Sequence, residues 1–223
     1  MKIGVALSGG GIRGIAHAGA LKAFEENGIN IDIIGGTSSG SLVAVLYAMG
    51  YTPYYIYMLF KRYAQELITV DTTPIINTVS SFITNKKNQV YGFNTGEAIE
   101  KAYNEIAQRK GIKYISDIKM PIAIPAVDVK TSKEYVFTNN KSKSRYISDK
   151  PIGTAVRASS SFPGVFCPCI YKEYTFLDGG ILDNIPVNEV KRLGADKVIA
   201  INFKADDIDE TSNFMDISMR TLD

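Results

Sequence analysis

The sequence predicts an α/β fold: three layers, with a mainly parallel central sheet and helices on both faces, forming a single domain over residues 1–223. Two observations carry that expectation. The order apolar strand, tight glycine turn, helix occurs twice in succession, over residues 3–27 and again over 31–49. Strand-like and helical stretches then keep alternating as far as Phe203, in a chain of 223 residues with 45% hydrophobic and 22% charged residues, the balance of an ordinary globular domain.

Each element has its own signal. Residues 3–8 (Ile-Gly-Val-Ala-Leu-Ser) form an expected buried strand that ends in Gly9-Gly10-Gly11. A helix is expected from Arg13 or Gly14 to Asn27, with Gly28 as its C-terminal stop. Ile31 to Ile34 reads as a second short strand, and residues 39–49 as an apolar helix closed by Gly50 and Pro53. Tyr54 to Leu67 has the spacing of an amphipathic helix. Residues 69–92, with Pro74 and many Ser, Thr and Asn, read either as a surface excursion or as a plain connection. Residues 95–109 give a helix with Asn94 or Thr95 as N-cap. The strands Ile122–Val129 and Lys133–Thr138 flank a turn at Lys130-Thr131-Ser132. A short helix over Pro151–Ser159, a strand over Tyr174–Leu177, a helix over Val187–Leu193 and a buried strand over Lys197–Phe203 complete the pattern. The tail after Lys204 is polar and ends like the start of a helix, so the chain is expected to be shorter than the natural protein.

Charge narrows the classes of partner. Lys and Arg number 25 against 23 Asp and Glu, a net charge of +2, which gives no case for nucleic acid. The stretch Lys130–Lys150 carries six basic residues against Glu134 and Asp149; it is either solvated surface or a contact for an anionic lipid surface. Cys167 and Cys169, one residue apart, suit neither a disulfide nor, with a single histidine in the chain, a zinc site. They read as small buried hydrophobes in a reducing compartment. The N-terminus lacks the features of a signal peptide, so a cytoplasmic protein is expected. Ile33 to Phe60 contains no charge and is long enough to cross a bilayer, but the breaks at Gly35–Ser41 and Gly50–Pro53 argue for buried strand, turn and helix instead.

The strongest chemical signal is Gly36-Thr37-Ser38-Ser39-Gly40, a G-x-S-x-G string that leaves a strand and opens a helix. A serine on such a turn is exposed and can be held beside a base, while the helix N-terminus offers free N–H groups for an oxyanion. The same string also serves as a plain capped turn. The second signal is Ser8-Gly9-Gly10-Gly11-Ile12-Arg13-Gly14, whose glycines let backbone N–H groups approach a ligand closely. Gly9, Gly11 and Gly14 also fit the dinucleotide fingerprint G-x-G-x-x-G. That reading wants an acid at the end of the second strand. Here the strand ends in Gly35-Gly36, and Asp32 lies near its start.

Two residues compete as the base for Ser38. His17 is the only histidine; it lies one turn into the first helix among Ala16, Ala18, Gly19 and Ala20, as a triad member or as a packed residue with a satisfied ring nitrogen. Asp178 follows the apolar strand and precedes Gly179-Gly180, at a strand end where catalytic carboxylates of α/β proteins are placed, although Asp-Gly is also a common turn. Tyr54, Tyr55, Tyr57, Met58 and Phe60 fit an acyl channel, a membrane contact or helical core packing equally. The serine run 159–161 lacks flanking glycines, precedes Pro163 and reads as a loop.

Taken in order, Gly9-Gly10-Gly11-Ile12-Arg13-Gly14, Gly36-Thr37-Ser38-Ser39-Gly40, Ala158-Ser159-Ser160-Ser161-Phe162-Pro163, Asp178-Gly179-Gly180 and Asp183-Asn184-Ile185-Pro186 resemble the patatin-like phospholipases, from Lys2 to about Phe203. The resemblance implies a Ser–Asp dyad of Ser38 and Asp178, with Gly9, Gly10, Gly11 and Arg13 as the oxyanion site. It implies hydrolysis of lipid or phospholipid acyl esters through an acyl-enzyme, with no metal and no cofactor; peripheral contact with a membrane is the second reading of the basic stretch Lys130–Lys150 and of the aromatic residues after Pro53. It also implies a histidine at position 17 that stands outside the dyad. Acyl transfer to an alcohol and nucleotide binding are the alternatives from other classes.

Overall fold

The structure, a computed structural model, describes residues 1–68 and 92–203. The first strand–turn–helix unit is β1 (Ile3–Leu7), a 3-10 turn over Gly11–Ile15 and α1 (Ala16–Glu26). The α-helix begins two or three residues later than expected because the glycine loop first winds into that tighter turn. The second unit is β2 (Ile33–Gly36) and α2 (Ser39–Ala48), followed by α3 (Pro53–Ile68). The uncharged stretch Ile33–Phe60 is thus strand, turn and two helices, and no helix among the described residues is long and apolar enough to cross a membrane. The excursion expected over 69–92 lies, except for Gly92, outside the described residues, as does the helix start expected after Lys204.

Gly92–Asn94 is the short strand β3, and α4 spans Glu97–Gln108. Its N-cap is Gly96, in the left-handed region at φ 72°, rather than Asn94 or Thr95. Those two side chains still serve the helix entry, accepting from the N–H groups of Gly96 and Glu97. The later elements are β4 (Ile122–Asp128), β5 (Lys133–Phe137), β6 (Tyr146–Ile147), α5 (Ile152–Ser159), β7 (Gly164–Phe166), β8 (Cys169–Tyr171), β9 (Tyr174–Asp178), α6 (Val187–Arg192) and β10 (Lys197–Ile201).

The main sheet runs β10-β1-β2-β4-β5-β6, with parallel pairing from β10 through β4. Beyond β4 the pairing turns antiparallel, both to β5 and, along the edge that β2 also uses, to β9 and then β8. β3 and β7 form a separate parallel ribbon. Alternation along the strands divides the core between two faces. Val5, Leu7 and Ile34 point into the larger core with α1 to α5, whereas Ala6 and Ile33 meet Val190 and Ala195 under α6. Helices therefore cover both faces, but very unequally. Cys169 is buried in the larger core as expected, while Cys167 is only half-buried; the two form no disulfide.

Candidate active site

The parallel strands deliver their glycine loops to one end of the sheet. At the end of β2 the chain turns through Gly36, Thr37 and Ser38 into α2, and the turn closes only because two glycines allow it. A Cβ on Gly36 would stand 2.3 Å from the Gly40 carbonyl oxygen, and one on Gly40 would stand 2.5 Å from that of Leu7. Ser38 takes φ 51° and ψ −123°, a conformation that L-residues rarely adopt and that costs about 1–3 kcal/mol. Surrounding bonds hold it there. The Thr37 N–H donates to Leu7 O (3.1 Å), the Thr37 hydroxyl to Asp183 O (2.8 Å), and the Ser38 N–H to Ser159 Oγ (3.1 Å). Ser38 itself is half-buried at the N-terminus of α2.

β4 brings Asp178 to this turn. β2 pairs with Ile122 and Ala123, and β9 pairs with Ala126 to Asp128 on the same edge but in the opposite direction. The two strands therefore end facing each other, one running into Gly36-Thr37-Ser38 and the other into Asp178. Asp178 shares the face of Phe176 and of its partner Ala126, both in the larger core where α2 packs. It is fully buried; its N–H donates to Ser161 O (3.0 Å), and its Oδ1 accepts from the Gly180 N–H (2.8 Å). Burial raises its pKa to about 7, while the Ser38 side chain and the Gly180 N–H pull the other way. Ser38 is thus near enough to be felt electrostatically, yet Oδ2 has no partner at full hydrogen-bond geometry. A buried carboxylate with one oxygen unused beside a serine hydroxyl is the arrangement a general base requires.

The glycine loop lies on the other side of Ser38. A Cβ on Gly9 would be 3.1 Å from Ser38 Cβ and 2.6 Å from Asn184 Oδ1. The Gly9 N–H is engaged, donating to both the carbonyl and Oδ1 of Asn184 (3.2 and 3.1 Å), so it is no oxyanion donor in this structure. Its lack of a Cβ lets the loop approach Ser38 closely. The N–H groups of Gly10 and Gly11 donate to nothing among the described residues, and neither does that of Ser39. Arg13 is positioned by the loop: Nε reaches Gly10 O at 3.5 Å, and the guanidinium lies 5.6 Å from the Phe203 ring centroid.

His17 is fully buried against Phe203, with ring centroids 4.6 Å apart. Its Nε2 donates to the Ser8 carbonyl at 2.9 Å, so that nitrogen carries the proton; burial lowers its pKa and keeps the ring neutral. Asp32, the acid nearest to a ribose-binding position in sequence, instead accepts from the Ile3 N–H (2.8 Å) at the opposite end of the strands. Ser159, Ser161 and Asn184 are the residues around the site whose contacts the sequence did not show. The clue to them was present in the ordered motifs rather than in local pattern, since their partners lie far away along the chain. An apolar recess lined by Leu42, Leu46, Phe60, Ile99, Tyr103 and Ile106 opens between α2, α3 and α4. Leu42 and Leu46 stand one and two turns along α2 from Ser38. Tyr57, Met58 and Tyr54, weighed above as channel or membrane residues, are exposed on the first turns of α3, whereas Phe60 is buried in the recess wall.

The family model described as patatin-like phospholipase matches residues 5–191. Lysophospholipase NTE1 of Meyerozyma guilliermondii is 34% identical over 216 residues, which are 96% of this chain and 13% of that protein. The lysophospholipase NTE1 of Candida albicans is likewise 34% identical over 216 residues, 96% of this chain and 14% of its own length. The chain therefore spans about one eighth to one seventh of these relatives. Among solved structures, VipD from Legionella pneumophila superposes with a TM-score of 0.51 at 16% identity, over 89% of this chain and 49% of that one, and shares the fold. With the ordered motifs, the mostly parallel sheet and a family match across most of its length, the chain belongs to the patatin-like phospholipase family.

Proposed function

We propose that this domain hydrolyses lipid acyl esters, in the manner of a phospholipase A or lysophospholipase, with Ser38 as nucleophile and Asp178 as base. The observation that carries the reading is the unpartnered Oδ2 of a fully buried Asp178, beside a serine held on a strained strand-to-helix turn. In the first half-reaction Asp178 takes the Ser38 hydroxyl proton as Oγ attacks the ester carbonyl. The N–H groups of Gly10, Gly11 and Ser39 stabilise the oxyanion. Collapse expels the alcohol, which leaves with the proton from Asp178, and the acyl group stays on Ser38. Asp178 then deprotonates a water, which attacks the acyl-enzyme; fatty acid departs and the proton returns to Oγ.

The substrate class follows from two supports. The relatives above are named lysophospholipases, and the apolar recess beside α2 has the lining that an acyl chain requires. Ile12, Ile181 and Leu182 are exposed next to the glycine loop and the Asp178 turn, where they would meet the hydrocarbon of a lipid surface during peripheral contact.

Incubation with a fluorophosphonate followed by intact mass and peptide mapping tests the reading. One adduct on Ser38 in the wild type, absent in Ser38→Ala, is the expected result. A folded wild type that takes no adduct, or takes it on another serine, would overturn it.

A further inference from the structure

The serine run that reads as a loop touches both members of the dyad. We propose that Ser159 is a positioning residue: with the Ser161 carbonyl it forms a two-point gauge that sets the separation of Ser38 from Asp178. The inference rests on the dyad reading above and deepens it.

Ser159 Oγ accepts the Ser38 N–H at 3.1 Å, and two residues later Ser161 O accepts the Asp178 N–H at 3.0 Å. Both serines are buried, at 0% and 1% exposure, so both accepting residues are shielded from water. The nucleophile and the base therefore hang from one short piece of backbone at the end of α5. That piece is itself fixed. The Ser161 hydroxyl donates back to Arg157 O (2.8 Å), Gly153 N–H donates to Asn104 Oδ1 (2.8 Å), and Thr154 Oγ1 donates to Glu100 Oε1 (2.7 Å). Arg157 pairs with the other oxygen of Glu100 at 2.8 Å, so α5 is pinned to α4 along its length. A rigid gauge is needed because Ser38 has an unfavourable backbone conformation. Without its N–H acceptor the turn would relax, and Oγ would drift from Asp178. Between the two contact points, Ser160 is equally a buried serine, yet its hydroxyl has no partner. It supplies an internal control.

The experiment compares wild type, Ser159→Ala, Ser159→Cys and Ser160→Ala, each assayed on a soluble p-nitrophenyl acyl ester. Rates are normalised to the folded fraction measured by thermal melt, after wild-type labelling on Ser38 has been established. Losing the acceptor for the Ser38 N–H predicts a kcat about 10- to 100-fold lower in Ser159→Ala, with KM within about twofold. The acid limb of the pH–rate profile should also move upward, because the Ser38 side chain then no longer lowers the Asp178 pKa. Ser160→Ala should keep the wild-type kcat and profile. If Ser159→Ala fails to fold, Ser159→Cys carries the same test, because it retains the side-chain volume but accepts only weakly. A wild-type kcat and pH profile in the folded Ser159 variant, or an equal loss in Ser160→Ala, would overturn the gauge. Absence of a Ser38 adduct in the wild type would instead overturn the dyad.

Discussion

Replacing Asp178 by Asn should do two opposite things at once. The pKa of this carboxyl rises from 3.8 to about 7 on folding, with burial as the dominant cause. The folded state therefore binds the proton more tightly than the unfolded chain does, and stability falls as pH rises between those values. About three pKa units correspond to at most roughly 4 kcal/mol of stability forgone once the pH is above 7. Asparagine keeps an oxygen for the Gly180 N–H and carries no charge, so Asp178→Asn recovers that energy less about 1 kcal/mol or more for its buried amide N–H groups at the position of Oδ2. In a chain of this size the gain is a melting temperature up to about 10 °C higher at pH 8, shrinking to less than half of that at pH 5. Removing the base should meanwhile lower kcat/KM by about 10²–10⁴. Melting curves of both proteins at pH 5 and pH 8, with ester hydrolysis on the same samples, give the two readouts. A stability gap of the same size at both pH values, or a variant less stable than wild type at pH 8, would refute the idea that folding buries a charge here.

The wild-type kcat/KM should rise with pH through an inflection near 7, since only ionised Asp178 can accept the Ser38 proton; a flat profile between pH 5 and 8 would remove Asp178 from that step. His17→Ala should lose about 2–3 kcal/mol of stability, from the Ser8 hydrogen bond and the Phe203 contact, yet still take a fluorophosphonate on Ser38. Loss of labelling in folded protein would move the base role to His17. Gly9→Ala should remain folded but lose about tenfold or more in kcat, because the new methyl meets a movable Asn184 amide and crowds Ser38. Gly36→Ala should yield no soluble enzyme, because its methyl meets the Gly40 backbone; normal expression with normal activity would contradict the turn geometry.

Much of this was readable from the chain alone where the signal is local. The apolar runs at Ile3–Leu7 and Ile122–Asp128 leave few alternatives to buried strands, and the glycines around Ser38 mark a turn whose backbone must pass close to other backbone. What the sequence could not display is pairing. Nothing in Tyr174–Asp178 says that this strand runs antiparallel on β4, or that it shares an edge with β2, because register is decided by contacts distant along the chain. The contact of Ser159 is invisible in the sequence for the same reason: its partner is an amide 121 residues away, not a neighbour. The N-cap of α4 shows a subtler limit. Asn94 and Thr95 have the right chemistry and do bind the first N–H groups, but the left-handed turn at Gly96 shifts the helix start past them.

The shared edge of β4 makes the separation of Ser38 and Asp178, the proposed reacting pair, discrete rather than adjustable. Side chains alternate across a strand, so a slip of β9 by one residue along β4 would not lengthen the Ser38–Asp178 distance slightly; it would carry the carboxylate to the far face of the sheet. Damage to this pairing should therefore sort molecules into competent and dead ones. A weakened preparation would show fewer titratable sites, each turning over at the normal rate.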